Sequence, residues 1–216
     1  MDKLKKTIKY DKKIMTFLNV IAIIGIIAGS IFMIVLSKND KDIVLNSIKD
    51  FFDKLINNKF NFIGTLKNTA LSNFLFSFII WVIGISVVGV LIVIFIIFYK
   101  SFTLGFTISS IIYTYSIKGT LLALIYVFPH MVINLLILLY LSSYSIKLSI
   151  ILIKSILKKD NLNFKAFINN YSKVFLISIV LLTITSLYES FIAPIILRYF
   201  AQLSIVFENV LKKFKH

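Results

Sequence analysis

The chain has 216 residues, of which 59% are hydrophobic, and its mean hydropathy is +0.95. A water-soluble domain has roughly 45–50% apolar residues, so a soluble protein of this composition would expose enough apolar surface to aggregate. The net charge is +15, but the lysines flank apolar runs instead of forming a basic domain, which favours lipid headgroups over nucleic acid as the partner. The absence of cysteine excludes disulfides and thiolate metal sites. We therefore expect an integral membrane protein.

Apolar runs predict about five membrane spans, because crossing a bilayer takes about 20 mostly apolar residues. The first run is longer than the core of a signal peptide, so we interpret it as a retained anchor. Tight turns are expected at Lys100 and at Lys118-Gly119. Pro129 interrupts the fourth run, which is either one kinked helix, the interpretation we prefer, or a short re-entrant piece followed by a span at 131–153. The predicted spans are residues 14–36, 71–99, 102–117, 120–146 and 174–197.

Two other segments, residues 42–56 and 199–214, have apolar residues at helical spacing and charges between them. Helices of this kind lie on a membrane surface or hold a partner. The first has no obvious core of its own to enter, so Phe51 and Leu55 are candidate partner contacts. The predicted fold is all-α: one polytopic membrane helix bundle over residues 1–216, with about five transmembrane helices and two amphipathic interfacial helices.

Small residues mark positions where helices can approach closely in lipid. Ala22, Gly25 and Gly29 share one face of the first predicted span, and Gly84 and Gly89 form a packing strip in the second. The expected partners include the lipid bilayer and, in a homo-oligomer, further copies of the chain. Basic residues are slightly more numerous on the side of the N-terminus, so we place the N-terminus in the cytoplasm, segment 37–70 outside and segment 154–173 inside.

No pattern of residues indicates catalysis, a metal site or a cofactor. The chain has two histidines, no Gly-rich phosphate loop, and no aspartate in any predicted span. Glu189 is an ionisable residue inside the predicted span 174–197. Placing such a group in a membrane costs roughly 2.5–3.5 kcal/mol, so its position needs an explanation. It is a proton or cation site, a partner contact, or a structural carboxyl hydrogen-bonded to another helix, and we favour the last. No lysine or arginine shares its depth in the predicted spans.

Phe128-Pro129-His130 is a second polar feature within an apolar run. A broken helix can build a binding site at the midplane of the membrane, and His can titrate near neutral pH. The simpler interpretation is a kink with one polar neighbour. Asn134 lies one turn after His130 on the same face, which suits a hydrogen-bonded pair.

Three short stretches of the chain, taken together in their order and spacing, carry a resemblance to a known family. The first runs from Trp81 to Gly89 and continues from Lys100 past Gly105, the second is Phe128-Pro129-His130, and the third runs from Tyr188 to Pro194. Together they resemble stage II sporulation protein M of endospore-forming bacteria and its wider membrane family. The resemblance covers essentially the whole chain. Many relatives outside the sporulation branch carry Gly and Glu where this chain has Met131 and Asn134, which makes the chain similar to the sporulation branch.

The resemblance implies a non-enzymatic scaffold in the cell membrane, enriched at the sporulation septum. Family members act with sporulation proteins D and P, which degrade peptidoglycan, to drive engulfment of the forespore. The alternative, built on Pro129, His130 and Glu189, is a small-molecule or ion transporter, or a permease-like subunit of one.

Overall fold

A computed structural model describes residues 11–57, 59–158 and 164–199. Within these ranges the chain forms six long helices: α1 Lys12–Val35, α2 Lys38–Ile56, α3 Phe62–Gly84, α4 Gly89–Leu122, α5 Phe128–Lys158 and α6 Phe164–Leu187. A π-helical turn, Ala123–Val127, joins α4 to α5, and a second, Tyr188–Ile192, follows α6 before helix resumes over residues 193–199. Five segments are long and apolar enough to span a membrane: Lys12–Val35, Phe62–Gly84, Gly89–Ser116, Phe128–Leu157 and Lys165–Tyr199. The predicted all-α membrane bundle is confirmed.

Helices α1 and α4 pack with their backbones in close contact. Gly25 lies against Phe98 and Ser101 of α4, and Gly29 lies against the backbone of Phe102. From the other side, Gly105 of α4 leaves room for the backbone of α1. Small residues permit this approach, which strengthens dispersion contacts in lipid. The small-residue face predicted in the first span therefore meets another helix of the same chain.

The second predicted span, 71–99, is wrong in its boundaries. Helix α3 begins at Phe62, where the Asn61 side chain caps it by accepting a hydrogen bond from Gly64 N at 2.9 Å. It ends at Gly84, and after a turn over residues 85–88 the chain enters α4 at Gly89. Gly84 ends α3 and Gly89 begins α4, so the two glycines flank the turn. A Cβ at Gly84 would collide with Ser145 and Tyr171, and one at Gly89 would collide with the carbonyl of Ile83. As a result, Lys100 lies within α4, where we had expected a turn.

The connection from α4 to α5 also differs from the prediction. The helical path breaks at Ser116, which has φ 51° and ψ −127°, and not at Lys118-Gly119. The fourth span begins at Phe128 and α5 continues to Lys158, well beyond the predicted end at residue 146. The π-helical turn Ala123–Val127 leads directly into α5, so the helical path continues through Pro129. A widened turn ahead of a proline accommodates its missing N–H, as it does ahead of Pro194. The interruption expected at Pro129 thus takes the form of this π-helical turn.

The fifth span is longer than the predicted 174–197, since α6 starts at Phe164. Its π-helical turn precedes Pro194, which is buried. Proline cannot donate a backbone hydrogen bond, so the helix ahead of it needs a different arrangement. The N–H of Ala193 accordingly donates to the carbonyl of Tyr188, five residues earlier. This local widening sets the position of Glu189 within the bundle.

Helix α2 is amphipathic, as predicted, but the expectation that its apolar face has no core to enter is wrong. Phe52 is 5% exposed and Leu55 is 0% exposed. They form a second core with residues from the end of the bundle where α4 and the fifth span finish and α5 starts: Ile111, Val127, Ala193 and Leu197. Arg198 Nε donates to the carbonyl of Leu55 at 3.2 Å. The second predicted amphipathic segment, 199–214, lies outside the described residues except for Tyr199.

Candidate functional site

A polar cavity of about 270 Å³ lies inside the bundle. Its walls come from α3, α4, α5 and the π-helical turn after α6. Among the residues that line it are Thr69, Asn73, Lys100, His130, Asn134 and Glu189. Ionisable side chains are costly inside a membrane and usually face protein or water, so this concentration of them marks the place to look for function.

Glu189 lies at one side of the cavity with its side chain 17% exposed. Its Oε1 accepts a hydrogen bond from the Thr69 hydroxyl at 3.3 Å. The same oxygen lies 3.7 Å from Nε2 of His130, a residue that is 2% exposed. The structure thus brings together two residues singled out in the sequence, Glu189 and His130, and adds Thr69 from a helix that starts inside the expected polar loop.

Lys100 faces the same cavity from α4. The expectation that no lysine or arginine shares the depth of Glu189 is therefore wrong, and it failed because Lys100 had been placed in a turn. The Lys100 ammonium lies 3.7 Å from the ring centroid of Phe76, within the range of a cation–π contact. Lys100 and Glu189 therefore line the same cavity from different helices.

Amide side chains connect the helices around the cavity. Asn134 of α5 accepts a hydrogen bond from the Thr185 hydroxyl of α6. Asn73 of α3 donates from Nδ2 to the Ser186 hydroxyl at 3.0 Å. Hydrogen bonds of this kind hold membrane helices together at about 0.6 kcal/mol each. They connect the helices that form the walls of the cavity.

A second cavity, of about 440 Å³, lies beneath α2 and is mainly apolar. Its walls include Phe51 and Phe52 of α2 together with Phe106 and Ile111 of α4. His130, Met131 and Glu189 line both cavities, so they form the boundary between the polar and the apolar one.

The remaining candidate residues have structural surroundings. Gly105 is in the α1–α4 contact, and Gly84 lies against the hydroxyls of Ser145 and Tyr171. Pro194 follows the π-helical turn that carries Glu189. Of the proposed partner contacts, Leu55 is buried within the chain and Phe51 is partly covered, with its ring against those of Phe52 and Phe60.

Sequence reasoning missed Lys100 and Thr69 as members of the site. A signal for Lys100 was available, because apolar residues continue on both sides of it with the helical pattern unbroken, whereas glycines at 84 and 89 marked a break. Thr69 had no such signal, since its role depends on α3 beginning at Phe62. Within the three described ranges, no group of three or more His, Asp or Glu residues is placed to hold a metal ion.

The model of one protein family, described as Stage II sporulation protein M, matches residues 18–194. No curated protein and no solved structure matches the chain. The matched region begins inside α1, ends at Pro194, and contains every residue that lines the polar cavity. It covers most of the chain and includes the three stretches that carry the resemblance. The chain belongs to the stage II sporulation protein M family, and is a multi-pass membrane protein related to sporulation.

Proposed function

We propose that this protein is a non-enzymatic scaffold that recruits peptidoglycan hydrolases, sporulation proteins D and P, and positions them at the septum for engulfment of the forespore. The observation that carries the proposal is the family match over residues 18–194. Buried amide side chains of the described residues join neighbouring helices, which suits a structural role for the bundle.

Helix α2 offers the surface that best suits a partner. Its apolar side is buried against the bundle, and the side left exposed carries Asp42, Lys49, Asp50 and Asp53. Charged surfaces of both signs give a protein contact its specificity and orientation. We therefore place the hydrolase contact on this charged face and move it away from Leu55.

Recovery of the hydrolases from sporulating membranes tests the scaffold. A variant with Lys49→Glu and Asp50→Lys exchanges two charges on α2 without changing the net charge. We expect it to lower the recovery of sporulation proteins D and P about tenfold, equivalent to about 1.4 kcal/mol of binding free energy. Lys165→Glu, at an exposed position on the opposite end of the bundle, is the control and should leave recovery unchanged. Absence of both hydrolases from the wild-type preparation would refute the proposal.

One observation favours a second function, transport of a small molecule or ion: Lys100 and Glu189 face a polar cavity between membrane spans. Solute flux into proteoliposomes separates the two functions. For a scaffold, Glu189→Gln keeps the shape and most of the hydrogen bonding, so engulfment stays close to normal, while Glu189→Leu lowers protein abundance. For a transporter, Glu189→Gln abolishes function at normal abundance.

A further inference from the structure

Lys100 and Glu189 face one cavity from different helices without touching. Among the described residues, no carboxylate oxygen lies within the 4.0 Å of an ion pair from Lys100 Nζ. The ammonium contacts the Phe76 ring, and the carboxylate is held by Thr69 beside His130. A cationic and an anionic side chain, held by different helices, thus line the same cavity.

This separation is unfavourable unless something lies between the charges. Taking each charge out of water costs free energy, and the attraction between them repays that cost only at close contact with good geometry. The attraction also grows as the local dielectric constant falls. Instead of forming a direct ion pair, both groups line a cavity of about 270 Å³.

We propose that the polar cavity binds a small zwitterionic group, one that carries a primary ammonium and an anionic oxygen on a short chain. The anionic oxygen accepts hydrogen bonds from Lys100, and the ammonium donates to Glu189. Asn73 and Asn134 line the same cavity and add amide groups that can hydrogen-bond to a polar ligand. This goes beyond the scaffold function and holds whether or not the ligand crosses the membrane.

The size of the cavity restricts the ligand. Pockets for drug-sized molecules are roughly 300–1,000 Å³, so a cavity of about 270 Å³ takes a headgroup or a free amino acid and excludes a nucleotide. Two sources share the required chemistry: the phosphoethanolamine headgroup of a membrane lipid, and a free α-amino acid. The apolar cavity that shares Met131 with the polar one would give additional contact to a lipid only.

Thermal unfolding of the purified full chain in lipid nanodiscs tests binding. The reference disc contains phosphatidylcholine, whose quaternary ammonium cannot donate a hydrogen bond to Glu189. The test discs contain added phosphatidylethanolamine or added phosphatidylglycerol, and a separate series adds glycine to the reference disc. A ligand of the native state at about 100 times its Kd should raise Tm by roughly 5–10 °C. We expect this with phosphatidylethanolamine, glycine or both, and not with phosphatidylglycerol.

Variants link the shift to the site. Lys100→Met and Glu189→Gln should each abolish it, whereas Lys67→Met, an exposed lysine of α3, should retain it. If either site variant fails to fold, competition on the wild-type chain decides. Unlabelled zwitterion should displace radiolabelled glycine or phosphatidylethanolamine, whichever raises Tm, while acetate and methylammonium, which carry one charge each, should not. A shift with phosphatidylethanolamine alone assigns the lipid source, and a shift with glycine alone assigns the free amino acid.

The proposal is overturned if no zwitterion shifts Tm, if acetate competes as well as the unlabelled zwitterion, or if Lys100→Met responds like the wild type. None of these results bears on recovery of the hydrolases, so failure here and failure of the scaffold function are distinguishable.

Discussion

Replacing Gly29 with alanine adds one methyl group at the contact between α1 and α4. The new Cβ would overlap the carbonyl oxygen of Phe102 and lie 2.9 Å from the backbone nitrogen of Phe106. These are backbone atoms of a helix, so they cannot rotate out of the way as a side chain can. The two helices must therefore move apart.

The structure sets the size of the effect. Restoring the contact with Phe106 from 2.9 Å to an ordinary 3.4 Å requires about 0.5 Å, and the tighter contact with the carbonyl oxygen of Phe102 raises the required separation of the helices above about 1 Å. A gap of about 0.5–1 Å forfeits a quarter to a half of the dispersion energy of each contact. Overpacking lowers the free energy of unfolding by about 1–3 kcal/mol, and the backbone overlap puts this substitution near the upper end. Alanine has a higher helix propensity than glycine, which restores about 1 kcal/mol. We expect a net loss of about 2 kcal/mol.

A buried thiol can report this loss, because the chain has no native cysteine. Ser101 is 0% exposed and lies opposite Gly25, so Ser101→Cys places an isosteric probe in the contact. Loss of about 2 kcal/mol should raise its alkylation rate roughly 30-fold. Gly64→Ala is the control, since its Cβ would meet only the Asn61 side chain, and its propensity gain and weakened cap should nearly cancel. An alkylation rate for Gly29→Ala within about twofold of the parent would refute this account of the packing.

Three further results are expected. Leu55→Ala should destabilise the packing of α2 by about 2–5 kcal/mol, seen as faster proteolysis within α2, because the side chain is 0% exposed; unchanged proteolysis would contradict its placement in the core. The hydrogen bond from Lys147 holds the pKa of Asp11 below its ordinary value of 3.8, so the pair stabilises the fold above that pH and its contribution is lost as the pH falls through the lower pKa of the folded chain. Asp11→Asn should therefore lower Tm at neutral pH, by a difference that disappears in acid, and a difference that persists in acid would exclude this pair as the cause. Cysteines at Asn57 and Lys165 should react with an impermeant thiol reagent from opposite sides of the membrane, and labelling of both from one side would refute the topology.

The sequence by itself determined the class of the protein. Lipid accommodates a chain that is 59% hydrophobic, and apolar runs of about 20 residues span it as helices, which pair their own backbone polar groups. Composition and run lengths therefore led to an all-α bundle with about five spans, and three short stretches led to the family that the match over residues 18–194 confirms. The apolar spacing of residues 42–56 likewise identified α2.

Only the tertiary structure decided where the helices end and what meets between them. The glycines at 84 and 89 favour a break before Lys100, but a lysine that interrupts an apolar run also resembles a turn residue, so the local pattern alone does not decide between them. The outcome depends on contacts made with distant parts of the chain, such as Gly84 against Ser145 and Tyr171. Once the turn lies at residues 85–88, Lys100 moves into the bundle and faces Glu189 across a shared cavity. Hydropathy records how apolar each residue is, whereas the partner that a buried charge faces is set by how separate helices pack.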